Sequence, residues 1–315
     1  MATLDTRHLV DPELAPLLDA WPAFELSAET LPAVRARQLP RPPMPPVDVA
    51  YDRVEAPGRD GAPAVPLHVY RARNADGALP CILHLHGGGY VAGSAGELAD
   101  FHRVLADDLR CAIVSVDYRL APETSFPGNV EDCYAGLDYV MREAGALGLD
   151  AARVGVMGES AGGGLAAALA LLARDRGEHH LAFQHLIYPM LDDRTCTADP
   201  HPTAGEFIWN RAKNVFGWTA LLGHEPGRDD VSPHAAPARA TDLAGLPPTF
   251  ISTGALDLFV DEDIDYARRL IAAGVPTELH VYPGAFHAFT IVPGARVAQA
   301  AQRDSREALR RALHG

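Results

Sequence analysis

The tightest demand on the backbone of this chain comes from the pentapeptide Gly158-Glu159-Ser160-Ala161-Gly162. Residues 153–157 before it form a short apolar run of strand type, and residues 161–174 after it are alanine- and leucine-rich, of helix type. The chain must therefore pass from strand to helix within a residue or two. The flanking glycines mark positions where strand and helix come too close for a side chain. A strand, a sharp turn and a covering helix form the repeating unit of a mostly parallel sheet with helices on both faces.

The rest of the chain repeats that unit. Short apolar runs at 47–54, 65–70, 81–85, 112–116, 183–188, 249–252 and 278–282 read as strands. Helical spacing recurs at about 96–109, 130–141, 261–273 and 294–313. Two departures set the domain organisation. Residues 1–46 hold two short amphipathic segments and a Pro-rich stretch at 39–46, which cannot continue a helix. Asp11 is placed to cap the first of these helices, with Pro12 as its first residue. Residues 192–230 contain no strand but carry Phe207, Trp209, Phe216 and Trp218, as expected of a helical lid inserted between two strands. The expected architecture is an α/β catalytic domain over 47–315 with an N-terminal cap segment over 1–46.

Composition narrows the partners. A formal charge of −14, with no Lys/Arg run to offset it, argues against nucleic acid. No apolar stretch is long enough for a membrane span, and the acidic N-terminus does not resemble a signal peptide, so a soluble cytoplasmic chain is expected. Cys81, Cys111, Cys133 and Cys196 lack metal-type spacing and are expected as buried thiols in a reducing compartment.

In open α/β sheets the reactive groups gather at the carboxyl ends of the strands. Ser160 occupies such a position, in the strand–turn–helix setting of a nucleophile elbow; the plainer alternative is a buried turn serine. His86-Gly87-Gly88-Gly89-Tyr90 follows the strand at 81–85. Its glycines let successive N–H groups converge on one point, and the amides of Gly88, Gly89 and Ala161 are the expected oxyanion donors. Neither the phosphate-loop pattern nor a third ligand for a His84/His86 metal pair is present, so no metal is expected. His86 is expected to brace the loop through hydrogen bonds.

A serine hydroxyl needs a base, and of fourteen histidines His287 lies in the loop after the last strand. Asp257 follows the preceding strand and is the expected acid partner. Asp261, Glu262 and Asp263 open a helix and are expected to serve its dipole. Glu159 is expected to bond nearby backbone or an arginine. Tyr90, Leu191, Phe207, Trp209, Trp218 and Leu258 have two readings, as the wall of an acyl or alcohol pocket or as packing between lid and body.

The stretches at 86–90, Asp117-Tyr118-Arg119-Leu120-Ala121-Pro122-Glu123, and 158–163, followed by Asp257 and His287, resemble the bacterial hormone-sensitive-lipase-like carboxylesterases of the α/β-hydrolase superfamily. The resemblance runs from about residue 80 to the C-terminus. It implies an eight-stranded sheet, a cap made by the N-terminal helices and the insertion, and hydrolysis of short acyl esters without a cofactor. It also implies dimers in some members. Glu159 stands where the family more often has Asp or Thr, which leaves the hydrogen bonding of the elbow open. The alternatives are an amidase or formamidase with the same triad, or a ligand-binding protein on a hydrolase scaffold. The latter should have lost a triad residue.

Overall fold

The computed structural model describes residues 5–21, 24–37 and 44–315. Of the Pro-rich stretch only residues 44–46 lie among them. Two short helices, α1 (Ala15–Ala20) and α2 (Leu31–Arg35), precede the strands. Then come β1 (Val49–Ala56), β2 (Val65–Ala72), β3 (Leu79–Leu85), α3 (Ala99–Leu109), β4 (Ala112–Val116), α4 (Gly128–Arg142) and α5 (Ala144–Leu147). The central unit is β5 (Leu149–Glu159) followed by α6 (Ala161–Arg176), and β6 (Gln184–Ile187) comes next. The chain closes with α7 (Arg211–Leu222), β7 (Thr249–Gly254), α8 (Val260–Ala272), β8 (Thr277–Tyr282) and α9 (Arg296–His314).

The eight strands make one sheet in the order β1-β2-β4-β3-β5-β6-β7-β8. Only β2 pairs antiparallel, with β1 on one side and β4 on the other. The remaining pairs are parallel. After β3 the chain steps outward to β4, then returns to place β5 on the other side of β3. That reversal opens a crevice at the carboxyl ends of β3 and β5, where ligands bind in sheets of this kind. Their register sets Leu85 opposite Gly158, so the loop after β3 and the turn after β5 leave the sheet side by side.

Alternation along the strands divides the core. Leu83, Val114 and Val156 face one layer, with Val130, Cys133 and Leu137 of α4 and the leucines of α6. Ile82, Ile113 and Met157 face the other, against Leu105 and Leu109 of α3 and Leu309 and Leu313 of α9. Residues 161–173 of α6 are buried on every side, which explains a helix built almost wholly of Gly, Ala and Leu. All four cysteines are free and buried, and burial pushes the Cys81 thiol up to about 12.

Three differences from the sequence expectations have physical causes. Helix α1 starts at Ala15 and not at Pro12, because the Asp11 N–H donates to the Gly284 carbonyl (3.0 Å) and its carboxylate accepts from Glu13 N (2.8 Å) in a separate turn. Strand β5 begins at Leu149, since Leu149 pairs with Leu79 ahead of an irregularity in the ladder. The insertion contains one α-helix, α7, and is otherwise irregular apart from a single 3₁₀ turn at Asp193–Cys196. It is tied down by Asp193, which is fully buried. Its carboxylate takes Arg239 Nε (2.5 Å) and Nη2 (2.9 Å) and the Gly227 amide (2.6 Å). Removing one partner from a buried pair of this type costs about 3–5 kcal/mol, so the insertion has a firm base.

The N-terminal segment and the insertion pack on one another above the strand ends. Glu206 accepts from Thr6 N (2.8 Å), and the Lys213 ammonium lies 4.1 Å from the Phe24 ring centre. Arg35 donates to the carbonyls of Val91 (2.7 Å) and Ala121 (2.8 Å) and pairs with Glu123. That guanidinium holds the Glu123 carboxyl down at about 2. No helix among the described residues is long and apolar enough to cross a membrane.

Candidate active site

Ser160 sits between β5 and α6 with φ 58° and ψ −124°. A non-glycine residue in that region carries strain on the order of 1–3 kcal/mol, which persists only where the surroundings enforce it. Here Ser160 N donates to the Ile187 carbonyl (2.9 Å), and its own carbonyl accepts from Gly164 N and Met190 N (both 3.0 Å). A Cβ on Gly162 would collide with the Leu85 carbonyl, so helix and β3 touch there. The side chain is left pointing off the end of the sheet.

Two loops meet it. Ser160 Oγ–H donates to His287 Nε2 at 2.9 Å, and His287 Nδ1–H donates to Asp257 Oδ2 at 2.8 Å. A carboxylate can only accept, so the Nδ1 proton is assigned from this network and Nε2 keeps its lone pair for Ser160. Asp257 follows β7 and His287 follows β8. The other carboxylate oxygen of Asp257 accepts from Phe259 N (3.0 Å), and the residue is fully buried. Three rings surround His287: Tyr188 at 5.0 Å, Phe259 at 5.2 Å and edge-on, and Trp209 at 6.3 Å between centres. They leave the imidazole little freedom beyond the line from Asp257 to Ser160.

Across the crevice, Gly88 (φ 125°) and Gly89 (φ 62°) turn the chain in a conformation closed to most L-residues. The Gly88 carbonyl accepts from Val91 N (3.2 Å) and Ala92 N (3.0 Å). Among the described residues, the amides of Gly88, Gly89 and Ala161 donate to no protein acceptor. Free N–H groups beside a nucleophile are what a developing oxyanion requires.

His86 braces this loop. Its Nδ1 lies 2.8 Å from the Gly87 carbonyl, and its ring stacks on Tyr118 at 4.3 Å. The Tyr118 hydroxyl donates to the His86 carbonyl (2.6 Å). Burial lowers the His86 pKa against the opposing Gly87 hydrogen bond, so the ring is neutral near pH 7.

The tentative pocket residues divide. Tyr90, Leu191 and Trp218 are fully buried in the main core cluster, so they pack the loops and the insertion onto the body. Tyr90 has φ 67°, and its hydroxyl donates to the Met190 carbonyl (3.0 Å). Phe207, Trp209 and Leu258 are half-buried. The Trp209 indole lies directly on Gly89, leaving no space for a Cβ there, and its Nε1–H donates to Asn214 (3.1 Å).

Two acids differ from expectation. Glu262 and Asp263 are buried, unlike the exposed Asp261, so the helix dipole is not their main concern. Glu262 accepts from Leu191 N (2.7 Å), Asp192 N (3.2 Å) and the Thr195 hydroxyl, which fixes the root of the insertion. Glu159 takes the backbone option, bonding the Gly87 amide together with His84, and no arginine among the described residues bonds it. Sequence reasoning also missed Tyr188. Its only signal was an aromatic residue closing the strand expected at 183–188, which the structure ends one residue earlier at Ile187.

Comparison with known proteins gives a consistent picture. A family model described as an alpha/beta hydrolase fold matches residues 82–291. The carboxylesterase NlhH of Mycobacterium tuberculosis is 36% identical over 98% of both chains. Esterase LipI of the same organism is 36% identical, covering 99% of this chain and 98% of its own. Among solved structures, a bacterial heroin esterase superposes with a TM-score of 0.89 at 41% identity, over 99% of this chain and 100% of that one.

Proposed function

Since this chain belongs to the hormone-sensitive-lipase-like branch of the α/β hydrolases and is a carboxylesterase, we propose that Ser160 carries out its reaction, on short-chain acyl esters. The observation that supports this most is the unbroken line from Asp257 through His287 to Ser160, at 2.8 and 2.9 Å, in a crevice where the amides of Gly88, Gly89 and Ala161 donate to no acceptor among the described residues.

His287 Nε2 takes the Ser160 proton as Oγ attacks the ester carbonyl. The carbonyl oxygen becomes an oxyanion and is received by the N–H groups of Gly88, Gly89 and Ala161. The intermediate collapses to an acyl-serine, and His287 returns the proton to the departing alcohol. Water, activated by the same imidazole, then releases the carboxylic acid. Asp257 keeps the Nδ1 proton in place and stabilises the imidazolium without taking the proton.

Trp209 supports a short acyl or alcohol group, because its indole closes the space above Gly89 and the turn bearing it is anchored. Asn210 caps α7 by accepting from Lys213 N (3.2 Å), and Lys213 Nζ donates to the Ile208 carbonyl (2.7 Å). A p-nitrophenyl ester series from acetate to palmitate tests this. The expected kcat/KM is highest for the shortest acyl groups and at least about tenfold lower for laurate, since crowding a packed wall costs about 1–3 kcal/mol. Palmitate as the best substrate would overturn the short-chain reading and leave the esterase chemistry intact. Amide analogues are expected to react more slowly than esters. Four free, buried cysteines support a cytoplasmic setting.

A further inference from the structure

We propose that Glu159, directly before the nucleophile, is a positioning residue for this reaction: held by His84, its carboxylate grips the Gly87 amide and so sets the distance between Ser160 and the Gly88 and Gly89 donors. The inference rests on Ser160 being the nucleophile.

The two oxygens of Glu159 point to different parts of the site. Oε1 accepts from Gly87 N at 3.2 Å, at the root of the glycine loop. Oε2 accepts from His84 Nε2 at 2.9 Å. His84 is 1% exposed, and its Nδ1 lies 3.2 Å from the Ser115 hydroxyl on β4. With Nε2–H given to the carboxylate, Nδ1 accepts from that hydroxyl. His102 of α3 packs edge-on against the same ring, 4.4 Å between centres. The carboxylate is thus oriented by a histidine locked between β4 and α3.

The sheet explains why this residue can reach both partners. Leu85 and Gly158 are opposite in the ladder, so Gly87 and Glu159 lie just beyond paired positions on adjacent strands. The loop and the elbow touch here: a Cβ on Gly87 would stand 2.9 Å from the Glu159 carbonyl oxygen and 3.4 Å from the Ser160 Cβ. Burial pushes the Glu159 carboxyl up, but its interactions with His84 and the Gly87 amide outweigh that, and the net shift is downward. An ionised carboxylate makes the stronger acceptor. The far side of the loop is held independently, by Arg35 on the Val91 carbonyl (2.7 Å). Glu159 therefore controls the near side, where the nucleophile stands.

An oxyanion hole works only if its donors are already in place, and a shift of about 1 Å can cost on the order of 100-fold in rate. Glu159→Met keeps the bulk and removes both acceptors. It is expected to lower kcat for p-nitrophenyl acetate by about 10- to 100-fold, with KM within about threefold of wild type. Glu159→Gln keeps an acceptor for Gly87 while discarding the charge, and is expected to stay within about threefold in kcat. Phosphonylation of Ser160 by a p-nitrophenyl phosphonate, whose phosphoryl oxygen also needs the donors, is expected to slow in parallel with kcat. Glu159→Ala carries the same expectation as Met, so the test does not depend on one variant folding. A Met or Ala variant with a lower melting temperature but wild-type kcat would show a merely structural role and overturn the proposal. So would a Gln variant as slow as Met. Ser160→Ala run alongside separates the two levels: if it retains turnover, the nucleophile assignment itself has failed.

Discussion

Ser160→Ala is expected to lower kcat for p-nitrophenyl acetate by about a million-fold, leaving the fold and melting temperature unchanged. The size of the effect follows from how the three side chains act together. Without Oγ, the base at 2.9 Å has no proton to take, and the oxyanion donors face a substrate that nothing attacks. The substitution removes one oxygen atom and leaves the backbone bonds of the elbow untouched, so the strained turn at φ 58° stays enforced by the Ile187 and Met190 contacts. Steady-state rates with circular dichroism on the same samples check both parts. Activity within a few fold of wild type would remove Ser160 from the mechanism.

The second large effect concerns Asp257→Asn, expected to cost about ten-thousand-fold in kcat with little change in KM. Asparagine matches aspartate in shape, so the packing survives. Its amide can present N–H toward His287 Nδ1, while its oxygen still accepts from Phe259 N, now at 3.0 Å from the carboxylate. Imidazole then places its proton on Nε2, pointed at Ser160, and no longer serves as a base. The tight box of Tyr188, Phe259 and Trp209 prevents the ring from turning to recover. A loss below about tenfold would mean that some other acid orients His287. Asp261 is mostly exposed, and Asp263 is buried without a hydrogen bond to His287, so neither is placed for that task.

The parts of the site that could be read in the sequence share a property: each is defined by its place relative to its own strand. Ser160 follows an apolar run and opens an alanine-rich one, while Asp257 and His287 follow the ends of the last two strands. Periodicity is enough to find those ends. The contacts that escaped are set by which strands become neighbours. Glu159 meets His84 and Gly87 because β5 lies beside β3 and not beside β4, an order that arises from the chain's return past β3. Alternation gives the face of a residue and says nothing of the strand next to it. The pocket residues show a second limit. Tyr90 and Trp218 look like wall residues by type and position, but a left-handed φ at Tyr90 and the close seating of α7 carry both rings into the core. Glu262 shows a third, since three acids in a first turn suggest dipole compensation until burial reveals that one of them anchors a loop.

The central claim is that the acyl group passes through Ser160. The most direct measurement is rapid acid quench of the enzyme during turnover of p-nitrophenyl acetate, followed by peptide mass mapping. An acetyl group on the peptide holding Ser160, appearing in step with a burst of p-nitrophenol and absent from Ser160→Ala, is the expected result. A burst with acetyl on another residue, or acetate released with no acyl-enzyme while Ser160→Ala stays active, would contradict it.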